Sequence, residues 1–192
     1  MEKIITIDDG SLFDGKVSKI LESFGLRGLF FIPNNCEIDE GAIKKISKKH
    51  DIGGHTVSHA LLTKLNEKER LKEIVENKKY LENLIGRKIK SFAYPRGWFN
   101  KDVIKSVEKA GYERAYTMKL GITNVGNYNK LSLPRTFHIY PRKEYDGSIV
   151  KAGTDLYEKA KKGGYFNMAF HGWEIQKFDL WEEFEKLLEH IR

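Results

Sequence analysis

Short apolar runs alternate with helical periods from one end of this chain to the other, and this alternation restricts the fold more than any other feature. Residues 4–7, 29–32, 51–53, 89–94, 115–117, 131–136 and 166–170 are strand-like. Between them the apolar spacing becomes helical. Val17, Ile20, Leu21 and Phe24 step in this way, with Gly25 placed to close the helix. Ile43 and Ile46 mark a short helix, and Asn66 with Glu69 has the form of a capping box. Leu71, Ile74, Val75, Leu81 and Ile85 supply that helix's apolar face, and Gly86 ends it. Further helices are expected over residues 101–110 and 149–162. A last one is expected with Asp179 as its cap and Trp181, Phe184, Leu187, Leu188 and Ile191 inward. Strands separated by helices imply an α/β fold with a parallel sheet and helical crossovers. About seven short strands are too few for an eightfold barrel, so an irregular, incomplete barrel is expected. Functional groups of such a fold sit where strands end and loops begin.

Composition narrows the setting. The 192 residues suit a single domain, 1–192, with 40% apolar and 32% charged residues. The lone cysteine, Cys36, rules out an internal disulfide framework and fits a reducing compartment. No stretch has the length of a membrane span, and residues 1–7 contain no signal-peptide core, so a cytoplasmic location is the expectation. The net charge is +7, with Lys44, Lys45, Lys48 and Lys49 grouped, and likewise Lys159, Lys161 and Lys162. Neither group is interleaved with aromatics or set in a nucleic-acid module. They read as solvated helix faces, and no nucleic-acid partner is expected.

Several strand ends carry chemically capable residues. Asp8-Asp9-Gly10 closes the first strand. Successive strand residues face opposite ways, so both carboxylates can enter one site only if the strand has ended by Asp9. Gly10 permits the tight turn that this needs. One carboxylate can then bind a cation while the other stays free as a base. His55 and His59 are four residues apart, which puts both imidazoles on one side of a helix or a strand, within reach of one metal ion. His171 follows the apolar run Met168-Ala169-Phe170. Tyr94-Pro95-Arg96-Gly97 ends another strand in a turn whose backbone N–H groups could face a ligand, and Arg135 ends a further one.

In this order, Thr6-Ile7-Asp8-Asp9-Gly10, His55-Thr56-Val57-Ser58-His59, Tyr94-Pro95-Arg96-Gly97 and Phe170-His171-Gly172-Trp173-Glu174 resemble the motifs of the polysaccharide deacetylase family, which has the NodB-homology domain and is also called carbohydrate esterase family 4. The resemblance covers nearly the whole chain. It implies a distorted, incomplete (β/α)7 barrel of the NodB-homology type and metal-dependent hydrolysis of N-acetyl groups on amino sugars. It also implies Asp9, His55 and His59 as ligands of one divalent transition metal, Asp8 as general base and His171 as general acid. Thr56 and Ser58 fall at positions that support the loop. The mixed nitrogen and oxygen donor set makes zinc the first expectation.

The chemistry is coherent. An amide carbonyl is a poor electrophile, so a Lewis-acidic ion must polarise it, and the leaving amine needs a proton. Two departures from the family pattern stand out. Ala93 occupies the place of an arginine that orients the base, and Arg96 replaces an aromatic residue. Arg135 is the better candidate for that arginine's role, and Arg96 is carried with it as a candidate catalytic residue. The Asp-Trp pair that often steadies the general acid is not evident. An N-acetylated sugar is the expected substrate, and a cyclic imide, ureide or other small amide on the same scaffold is the alternative. A non-catalytic sugar-binding relative is a second alternative. A non-haem iron oxygenase would also use two His and a carboxylate, but strand–helix alternation argues against its usual scaffold.

Overall fold

Both faces of the central strands are apolar, and the computed structural model shows why. It describes residues 1–124 and 129–192. The strands are β1 (Glu2–Asp8), β2 (Leu29–Ile32), β3 (Asp51–Gly54), β4 (Ser91–Ala93), β5 (Arg114–Leu120), β6 (Leu133–Arg135), β7 (Phe137–His138) and β8 (Tyr165–His171). All pair in parallel, in the order β6-β5-β4-β3-β2-β1-β8-β7. β6 and β7 are two halves of one stave bent at Thr136. The first half pairs with β5 and the second with β8. The result is an α/β, nearly closed parallel barrel. The sequence places this stave at residues 131–136, whereas its pairing runs from Leu133 to His138.

Alternate residues divide the core in two. Ile4, Leu29, Phe31, Ala93, Tyr116, Leu133 and Tyr165 fill the bore. Ile5, Ile7, Phe30, Ile32, Phe92, Ala115, Phe166, Met168 and Phe170 belong to the cluster packed under the helices. Burying a phenylalanine such as Phe30 or Phe31 contributes roughly 2 kcal/mol. This parity puts Asp8 in the inward row of β1, after Ile4 and Thr6, and aligns it with His171 of β8.

The helices are α1 (Asp14–Ser23), α2 (Glu40–Ser47), α3 (Glu67–Ile85), α4 (Lys101–Lys109), α5 (Ile149–Gly163), α6 (Gly172–Lys177) and α7 (Trp181–Ile191). The capping box before α3 is present in both directions, and Gly86 closes that helix in the left-handed conformation. Asp179 does not cap α7. Leu180 takes that position with no side-chain bond, while Asp179, at φ 50°, ends the short helix α6, which the periodicity does not reveal. No helix of the described residues is long and apolar enough to cross a membrane.

Candidate active site

β1 ends at Asp8, and the next two residues both adopt positive φ, 80° at Asp9 and 65° at Gly10. The chain thereby turns across the C-terminal mouth of the barrel and brings the second carboxylate over the same opening as the first. Gly10 is required twice over, since a Cβ there would also lie 2.7 Å from Cys36 Cβ. Gly172, next to His171, lets this loop pack against β8, because a Cβ would lie 2.5 Å from Asp14 Oδ1. Asp14 accepts a hydrogen bond from Ser11 Oγ at 2.7 Å, and burial pushes its carboxyl up to about 7.

His55 begins where β3 stops. Its Nδ1 lies 2.8 Å from Ala93 O. A carbonyl only accepts, so Nδ1 carries the proton and Nε2 keeps its lone pair for the mouth. The His55 N–H donates to Asn77 Oδ1 at 2.9 Å, and the Asn77 amide donates to Ile32 O and Asn34 Oδ1. Asn77, fully buried on α3, thus fixes the point at which β3 releases the histidine. Positive φ at Thr56 and His59 folds the loop back. Thr56 Oγ1 accepts from the Ala60 N–H, and Ser58 donates through Oγ and N–H to the two oxygens of Glu73. Thr56 and Ser58 therefore brace the loop.

The Nε2 atoms of His55 and His59 each lie 3.4 Å from Asp9 Oδ1. One donor atom from each of Asp9, His55 and His59 falls within 4.8 Å of the other two. Asp9 Oδ1 and Asp8 Oδ1 are buried acceptors with no hydrogen-bond partner among the described residues. Orphaned buried oxygens beside two imidazole lone pairs suit a cation, and this donor set fits a divalent transition ion. Burial would raise Asp9, but the imidazoles around it, His55 first and then His171 and His59, hold the carboxyl well below its usual range when they carry a proton. Asp8 is pushed up by burial, against the pull of His55 and His171.

His171 stands on the other side of Asp9, with Nε2 3.5 Å from Asp9 Oδ2. Its Nδ1 lies 2.7 Å from Glu174 Oε2. The same oxygen accepts the His171 N–H at 3.1 Å and faces His138 Nε2 at 2.9 Å. Arg142 Nη2, which can only donate, approaches His138 Nδ1 at 3.2 Å, so the His138 proton sits on Nε2 and points to Glu174. Burial opposes the charge on both members of the His171–Glu174 pair, yet the contacts of Glu174 with His138 and His171 prevail. Glu174 falls to about 2 and His171 rises to about 9, helped by Asp8 and Asp9. His171 is therefore protonated near neutrality. Sequence reasoning missed Glu174, His138, Arg142 and Asn77. Only Glu174 left a trace, as an acid three residues after His171 at the start of an unforeseen helix.

The two arginines part company. Arg135 is 5% exposed, donates through Nε to Met118 O at 2.9 Å, and shares an enclosed polar space with Asp8 at the top of the bore. Its charge is among those that lower Asp8. Arg96 is exposed on the rim, at φ 55°. Its turn spends the Tyr94 N–H on Tyr116 O and the Gly97 N–H on Tyr94 O. Among the described contacts, the Arg96 N–H is the donor that the turn has left.

A parallel barrel carrying an Asp-His-His cluster, a second carboxylate and a protonated histidine at its C-terminal mouth defines a class of candidate metal-dependent hydrolases. The chain belongs to the polysaccharide deacetylase family, whose sequence profile matches residues 3–115. It is 26% identical over 125 residues to the putative polysaccharide deacetylase YxkH of Bacillus subtilis, covering 62% of this chain and 45% of that protein. It is 32% identical over 108 residues to a peptidoglycan-N-acetylglucosamine deacetylase of Bacillus cereus, covering 54% of this chain and 39% of that one. The chain thus spans less than half the length of either relative. Among solved structures, a putative polysaccharide deacetylase from Mycobacterium smegmatis superposes with TM-score 0.79 at 16% identity, over 99% of this chain and 83% of the other. A family 4 carbohydrate esterase from Streptomyces lividans, in complex with acetate, gives TM-score 0.72 at 16% identity, over 99% and 87%. A family 4 pseudoenzyme from Bacillus anthracis gives 0.67 at 16% identity, over 98% and 60%. At these identities the structures establish the fold alone.

Proposed function

We propose that the protein is a metal-dependent deacetylase that hydrolyses N-acetyl groups of an amino-sugar-containing glycan or glycan precursor. The observation that supports this best is the convergence of Asp9, His55 and His59 between two further groups, Asp8 and His171, of opposite protonation need. A divalent ion, zinc by our expectation, held by Asp9, His55 and His59 would polarise the acetamide carbonyl and acidify the attacking water. Asp8 takes that water's proton. The Arg96 N–H donates to the carbonyl oxygen as it gains charge. His171 gives its Nε2 proton to the amine as the carbon–nitrogen bond breaks, and Glu174 holds the ring from the other side. Arg135 keeps a positive charge beside Asp8 and so favours its ionised form. The products are acetate and the free amino sugar.

The test is acetate release from N-acetylated sugars, with cyclic imides and ureides as competing substrates, by metal-loaded parent and Asp8→Asn protein. Asp8→Asn keeps the shape and removes the basicity. Turnover is expected to fall by about 10²–10⁴ while metal stays bound. Near-normal release by metal-loaded Asp8→Asn would refute this mechanism. Hydrolysis of the cyclic amides alone would refute the substrate class.

A further inference from the structure

Beside the mouth, on its β4–β5 side, lies a shallow groove of about 330 Å³ lined by Arg96, Gly97, Trp98, Phe99, Met118 and Lys119. It adjoins the enclosed space that holds Asp8 and Arg135, with Met118 lining both. The turn that carries Arg96 follows directly on Ala93, whose carbonyl orients His55, and the charge of Arg96 is among those felt by His59. Two features mark the groove as built for a ligand. Trp98 is 62% exposed, and Met118 beside it is 36% exposed. An exposed indole beside the candidate site offers a stacking surface for the apolar face of a pyranose ring. The second feature is charge. The lining holds two cations and no acid, and neither Arg96 nor Lys119 forms an ion pair among the described residues. Lys119 instead approaches one aromatic ring. Its ammonium lies 5.1 Å from the centroid of Phe99, which stacks on Tyr94 at 5.1 Å and 24°. Arg96 keeps a left-handed backbone that is costly for any side chain but glycine, and this fixes where its guanidinium starts.

We propose that this groove is a subsite for a carboxylate-bearing pyranose adjoining the N-acetylated sugar, with Trp98 stacking on the ring and Arg96 and Lys119 taking the carboxylate. The inference rests on the deacetylase reading and names its substrate class, an acidic amino-sugar glycan. A guanidinium matches a carboxylate with two parallel hydrogen bonds, and a neutral chitin-like chain would leave both cations unused.

The test reads binding without turnover, by calorimetry on metal-loaded Asp8→Asn protein. The probes are a peptide-free tetrasaccharide of alternating N-acetylglucosamine and N-acetylmuramic acid and the same tetrasaccharide with its carboxylates converted to neutral amides. The charged form is expected to bind about tenfold tighter at low salt, the worth of one good charge-assisted contact. Adding Arg96→Gln and Lys119→Gln should abolish that preference, and Arg96→Gln keeps the backbone N–H. Adding Trp98→Ala should weaken both probes, while Trp98→Phe restores most of the loss. Equal binding of the two probes, no measurable binding of the charged one, or a preference that survives loss of both cations would overturn the subsite. Acetate release by the parent protein is scored separately. Charge-dependent binding with no acetate release refutes the deacetylase reading and leaves the subsite standing. Equal binding with normal release does the reverse.

Discussion

At the scale of single residues, one carboxylate oxygen governs the acid side of the mouth. Glu174 Oε2 meets His171 Nδ1, the His171 N–H and His138 Nε2. Neutralising it in Glu174→Gln removes the partner that raises His171 to about 9. A raised folded value means that the proton is held through neutrality and lost as pH climbs. The variant's His171 therefore loses its proton earlier, and the alkaline limb of its kcat/KM profile should move to lower pH. A bound dication lowers every imidazole in the mouth, so the difference between the two profiles is the quantity to read. An unchanged alkaline limb would show that Glu174 does not set this proton. Asp8 and His171 were legible because each closes an apolar strand, and Asp9, His55 and His59 because they fall within a few residues of such a strand end. Glu174 and His138 were not. They meet His171 only through the second half of the stave, beyond its bend at Thr136, and the short helix α6, neither of which has a signal in the sequence.

At the scale of elements, His50 ties α1 to the start of β2. Its Nδ1 accepts from the Gly28 N–H at 3.0 Å, so Nε2 carries the proton and donates to Ser18 O at 3.2 Å. The bond from Gly28 requires an unprotonated Nδ1 and is lost in the charged ring, and burial lowers its pKa. A histidine depressed on folding contributes stability above its unfolded value of about 6.5, and that contribution is lost as pH falls through the folded value. Urea midpoints of the parent should therefore drop below about pH 6.5, and those of His50→Asn should drop less; parallel curves would contradict this. At the start of α3, Asn66→Ala breaks the capping box and should cost about 1 kcal/mol. For a chain of this size that lowers Tm by roughly 2–4 °C in calorimetry. The helices were legible where caps and periodicity agree, as at Asn66, Glu69 and Gly86. Asp179 misled because the same residue types that open helices also tolerate the left-handed conformation that closes them.

At the scale of the whole molecule, two loops that carry strained backbone, 8–10 and 55–59, are drawn together over one end of a barrel whose packing sits elsewhere. An ion that binds only the folded mouth stabilises the entire chain. At about a thousandfold excess over its dissociation constant this amounts to roughly 4 kcal/mol. Chelation should therefore lower Tm by roughly 10 °C, and readdition of metal should restore it. The central claim is the three-ligand centre, and metal content tests it most directly. Elemental analysis of folded, dialysed protein should find one divalent ion per chain in the parent and loss of that stoichiometric ion in His59→Ala. Full occupancy in His59→Ala would contradict the assignment of Asp9, His55 and His59 as the metal ligands.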